Sequence, residues 1–110
     1  MAKYTHYWKG NFDDALRRLH EGILQGSLTA SFEDGDDFSR NGVRCAVRVY
    51  ERYSMIGGNR VSLNLTLFGY GEDLSLSAIT SGGSQAVLWK LNTLGEEAFL
   101  DRLREIVETL

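Results

Sequence analysis

The stretch Val43–Tyr70, VRCAVRVYERYSMIGGNRVSLNLTLFGY, decides how this chain folds. Two alternating runs flank Gly57-Gly58-Asn59, a pattern that marks a tight hairpin between strands. In the first run, Val43–Met55, the residues Val43, Cys45, Val47, Val49 and Tyr53 share one face; Arg44, Ala46, Arg48, Tyr50 and Arg52 share the other. In the second, Arg60–Tyr70, Val61, Leu63, Leu65 and Leu67 oppose Ser62, Asn64, Thr66 and Phe68. A sustained period of two is the signature of a half-buried strand, with its apolar side toward a core. The expectation is two long antiparallel strands, valines and leucines inward, the arginine face outward.

Working outward, Gly71-Glu72-Asp73 turns the chain into Leu74–Thr80, which sets Leu74, Leu76 and Ala78 on one side. Ser81-Gly82-Gly83-Ser84-Gln85 follows, and then Ala86–Leu91 (AVLWKL), which reads as a further strand after a glycine-rich turn. Upstream, Ser27–Glu33 alternates through Leu28, Ala30 and Phe32, and Asp34–Gly42 (DGDDFSRNG) reads as a solvated loop. Lys3–Lys9 (KYTHYWK) reads as a short strand or an ordered arm.

Helical spacing occurs twice. Over Asn11–Gln25, Asn11 is a good N-cap, Asp13 and Asp14 suit the positive end of the helix dipole, and Phe12, Leu16, Leu19 and Ile23 form one apolar face. Gly22 weakens the last turn by about 1 kcal/mol relative to Ala, and Gly26 is placed to end the helix in a left-handed conformation. A second helix runs from about Gly95 to the C-terminus, with Thr93 and Glu96 at capping-box spacing and Phe99, Leu103, Ile106 and Leu110 as its buried stripe. Short turns force antiparallel neighbours. The fold expected is α+β: an antiparallel sheet of about five strands, with the N-terminal and C-terminal helices packed on one face, in one domain over residues 1–110.

Composition narrows the function classes. The chain has 110 residues, 43% hydrophobic and 25% charged, so it can bury a core without staples. Its net charge of −3 disfavours nucleic acid and anionic lipid as partners. Cys45 is the only cysteine, which excludes an internal disulfide and fits a reducing compartment. MAKYTHYWKGNFDD lacks the apolar run of a secretory signal, and no stretch is long and apolar enough to span a membrane, so a cytoplasmic location is expected. With no proline, the turns rely on Gly, Asn, Asp and Ser.

No catalytic motif emerges, and no cofactor or metal is expected. Neither nucleotide-binding glycine fingerprint is present, so SGGSQ reads first as a turn. Counted from Asp34 as a calcium loop, the fifth and sixth positions are Phe38 and Ser39, where an oxygen ligand and Gly are required. His6, His20 and Cys45 lack zinc spacing, and no Gly-x-Ser-x-Gly frames Ser81 or Ser84. An enzyme is therefore the less favoured class.

Two binding constellations stand out instead. Arg44, Arg48, Tyr50 and Arg52, joined by Asn64 and Phe68 from the neighbouring strand, form a polar sheet face. Arg and Tyr are favoured at protein interfaces, so this face suits a protein partner, most simply a second copy in a homodimer. The alternative is a small apolar or lipid-like ligand in a pocket between sheet and helices, with Ser81, Ser84, Gln85 and Trp89 at its mouth.

The segments RVYERYSMIGGNRVSLNLTLFG (48–69) and ITSGGSQAVLWKLNTLGEEAFL (79–100) resemble a small family of uncharacterised bacterial proteins of similar length. That resemblance implies a bacterial origin and a single domain, and supplies no activity. The closing order of strands, glycine-rich turn, strand and C-terminal helix is also similar to the end of helix-grip (START-like) lipid-binding domains, which are longer and have a larger curved sheet.

Overall fold

The alternation over Val43–Tyr70 folds as two long neighbouring strands, and the rest of the sheet is built on them. The computed structural model describes residues 1–27, 29–54, 59–82 and 89–110. In chain order the elements are β1 (Ala2–Lys9), α1 (Phe12–Gln25), β2 (Ser31–Arg40), β3 (Val43–Ser54), β4 (Asn59–Tyr70), β5 (Asp73–Gly82) and α2 (Trp89–Val107). One five-stranded antiparallel sheet has the order β1-β5-β4-β3-β2. Strands β2 to β5 form a meander of hairpins, and β1 returns to pair with β5, placing Ala2 opposite Thr80 and Lys9 opposite Asp73.

Both helices lie on one face. Asn11 caps α1 by accepting from the Asp14 N–H at 2.8 Å. Helix α1 buries Phe12, Ala15, Leu19 and Ile23, while α2 buries Phe99, Leu100, Leu103, Ile106 and Val107. They meet Val61, Leu63, Leu65 and Leu67 of β4, and Leu74, Leu76 and Ala78 of β5. Helix α2 packs mainly on β5, β4 and β1, so the helical layer is centred away from β2. The Met1 amino group lies 2.8 Å from a carboxylate oxygen of Glu96, a buried residue of α2.

Several sequence expectations are corrected. The acidic segment Asp34–Gly42 is not a loop: Asp34 to Arg40 belong to β2, which ends at an Asn41-Gly42 turn with φ of 53° and 81°. The strand expected over Ser27–Glu33 begins only at Ser31; Leu28 lies outside the described residues. Trp89–Leu91, expected as strand, is the start of α2, so Thr93 and Glu96 sit inside that helix; Ala86 to Leu88 lie outside the described residues. Leu16 is only partly buried, and Ala15 takes the inner position.

Gly26 ends α1 in a right-handed conformation, φ −79°, not a left-handed one. A Cβ there would run into the Arg102 guanidinium, which would have to shift to admit it.

The faces of β3 are reversed from the expectation. Ala46 and Tyr50 point into the core opposite Leu67 and Leu63, so Arg44, Arg48 and Arg52 share the helix side with them. Val43, Cys45, Val47 and Val49 look the other way and remain partly exposed, which corrects the reading of Cys45 as buried. The reason is position. Strand β3 lies at the margin of the helical layer, where long arginine stems can cover apolar surface and still reach water. Arg44 sits 4.2 Å from the centroid of Phe12 and Arg52 sits 5.1 Å from that of Phe99.

Candidate functional site

The registers divide the sequence-predicted interaction residues between two faces. Arg44, Arg48, Tyr50 and Arg52 lie on the helix side; Asn64 and Phe68 lie on the opposite, open side. Ser81 reaches the open side as well, its hydroxyl 2.8 Å from that of Ser62. Ser84 and Gln85 lie outside the described residues; Trp89 opens α2. Most of the predicted ligand cluster therefore lies outside the described residues.

On the helix side, a cleft of about 560 Å³ between α1 and β2–β3 is lined by Arg17 and Arg48 with Leu16 and Phe32, and Arg44 lies beside it, paired with the lining Asp13. Each arginine there already has a carboxylate. Arg44 makes a two-point contact with Asp13 at 2.8 and 3.0 Å, and this bond holds the Asp13 carboxyl below its usual range. Arg48 Nη2 reaches both carboxylate oxygens of Asp37, at 3.0 and 3.2 Å, and Nη1 donates to the Val47 and Asp36 carbonyls. Arg17 pairs with Asp14 and Glu21 along its own helix. Gly35 permits this arrangement, since a Cβ would stand 2.8 Å from the Val47 carbonyl oxygen and 2.9 Å from Arg48 Cδ.

At the inner end of the cleft, the buried Tyr50 hydroxyl lies 2.8 Å from His20 Nδ1. Burial pushes the Tyr50 phenol well above its ordinary pKa, so it stays protonated within this hydrogen bond. Phe32 stacks edge-on to His20 and closes the trio. These contacts fasten β2 and β3 to α1, and both arginines that line the cleft, Arg17 and Arg48, are already paired with carboxylates.

The open side is different in kind. No described element covers it. Its residues fall into straight rows across the sheet. One row runs Tyr7, Ser75, Phe68, Cys45, Phe38; the next runs Lys9, Asp73, Tyr70, Val43, Arg40. Tyr7 is 73% exposed, Phe38 and Tyr70 59%, and Phe68 45%. Val43, Cys45, Val47 and Val49 fill the ground between them, with Ile79 farther along. Large exposed apolar patches are uncommon on monomeric proteins. A hollow of about 250 Å³ lies between Phe38, Val43 and Cys45 on this side.

Sequence reading missed Tyr7, Phe38 and Tyr70. The signal for Phe38 was Asn41-Gly42, the strongest short hairpin signal, directly before Val43. It requires a strand on its N-terminal side, and the acids of DGDDFSR concealed that strand.

The fold and this uncovered face define a two-layer α+β protein with one layer of helices and one sheet face open. Residues 1–110 match a family of unknown function, DUF6054, and the chain belongs to that family. No curated protein and no solved structure matches the chain, and the likeness to helix-grip domains is left without support. No helix among the described residues is long and apolar enough to cross a membrane.

Proposed function

We propose that this chain is a non-catalytic interaction module, a single working unit over residues 1–110, that self-associates through the open face of its sheet. The observation that carries the reading is the row Tyr7–Phe68–Phe38, which holds exposed aromatic side chains on both edge strands and on the central one. Leaving such a patch in water is unfavourable by about 25 cal/mol for each Å² of apolar surface, and a partner removes that cost. Of the Arg/Tyr face named by the sequence, Arg44 and Arg48 are already paired with Asp13 and Asp37, which favours the open face as the docking surface. The same pairing disfavours a small ligand in the cleft. A lone cysteine with no disulfide supports the cytoplasm as the setting.

Sedimentation at tens of micromolar tests the reading. The expected result is a species heavier than the 12.4 kDa chain that Phe68→Glu converts to monomer with its circular dichroism unchanged. A wild-type monomer indistinguishable from the variant rejects it.

A further inference from the structure

We infer that the two copies stack face to face with their two-fold axis running along β4, so that β1 of each lies over β2 of the other. The inference rests on the docking reading above and names how the partner sits. Two like sheets in a symmetric face-to-face pair have their axis between them, either across the strands or along them. An axis across the strands sets each strand over its own copy. Centred on the face, that axis turns each strand end for end, so Lys3 lies over Lys9 of the other copy, Asp34 over Arg40, and Tyr7 over Thr5, away from the hollow beside Phe38. Charge tolerates that arrangement, but it leaves the most exposed ring of the face without a seat.

An axis along the strands reverses the order across the sheet. The row of Lys3, Ile79, Asn64, Val49 and Asp34 then lies over its own reverse, with Lys3 above the acidic segment of β2 in the other copy. Asp36 is one row away and faces the open side opposite Val47, within reach of the same lysine. Arg40 meets Lys9 together with its Asp73 partner, a pair with no net charge.

Shape gives an independent argument. In this arrangement Tyr7, the most exposed aromatic of the face, stands over the Phe38 end of the other copy, where the hollow between Phe38, Val43 and Cys45 can receive its ring. Phe68 falls on the axis and meets its own copy. Asn64 does likewise, and an amide is self-complementary, with donor and acceptor on one group. The strand spacing and rise give a face of about 24 by 26 Å, hence roughly 1,200 Å² buried over both copies, at the lower limit for a specific interface.

Charge-swapped chains test the arrangement. Lys3 and Asp36 lie on opposite edges of one sheet, about 19 Å apart, beyond screening distance, so they couple only across copies. Lys3→Glu alone and Asp36→Lys alone each place two repulsive contacts in their own dimer, and each should self-associate about tenfold more weakly. Mixed together they form a dimer with two attractive contacts. Native mass spectrometry of an equimolar mixture, one chain isotopically labelled, should show the mixed dimer well above the statistical half. Asp34→Lys substitutes if Asp36→Lys does not fold. Statistical mixing of variants that dimerise like wild type overturns the arrangement and leaves self-association standing. A wild-type monomer overturns the docking reading as well.

Discussion

A methyl group added at Gly22 would sit 2.7 Å from Ile106 Cδ1 and 2.8 Å from its Cγ1. Helix propensity alone favours Ala there by about 1 kcal/mol. The branched Ile106 is stiff and buried against the crossing, so the clash outweighs the propensity. Gly22→Ala should therefore lower stability by about 1 kcal/mol, as measured by urea midpoint; an increase would show that the helices have slack. Tyr50 carries a second prediction. Tyr50→Phe removes one hydrogen bond to His20 and should cost about 1 kcal/mol near neutral pH. The phenol's folded pKa is raised by burial, so the native state holds its proton more tightly than the unfolded chain does. That contribution is complete below about pH 10 and is lost as pH rises above it. Urea titrations between about pH 8 and 11 should show wild-type stability falling more steeply than that of Tyr50→Phe.

The β2–β3 hairpin is held by its turn and by contacts made along it, and each can be probed. Gly42 has a φ of 81°, where a β-branched side chain is strained. Gly42→Val should cost about 1–2 kcal/mol and should raise amide exchange along β2 before the rest of the sheet. This hairpin is also where the sequence was hardest to read. The alternation of β3 and β4 located both strands to within a few residues, and the spacing of α1 was legible from Asn11 onward. Strand β2 was hidden because Asp and Gly are poor strand formers, yet on an edge those acids help keep other chains from adding to the sheet. The polarity of β3 misled for a different reason. Alternation shows that two faces exist, but which of them is covered depends on where the helices lie across the sheet. Arginines over Phe12 and Phe99 are inward residues with charged ends. The short run AVLWKL lacked a period that could separate strand from helix, and its later residues are helical.

For the whole molecule, the proposed self-association would tie stability to concentration. Thermal unfolding of wild type should move to higher temperature as protein is raised from about 1 to 100 μM, while Phe68→Glu should show no such shift. The strand order has a further consequence, in the time the chain takes to become native. Strands β2 to β5 need only hairpin closures between neighbours. Strand β1 precedes them all in the chain, yet its partner β5 is the last of the described strands to be made, with Tyr4 waiting for Ala78 and Tyr7 for Ser75. Such distant pairings form slowly, because loop entropy must be overcome before any contact rewards it. The N-terminal strand is thus among the earliest segments synthesised and the latest to be secured. Until it docks, β5 presents an open edge that the β1 of another chain can occupy, so crowded synthesis favours exchange of this strand between copies.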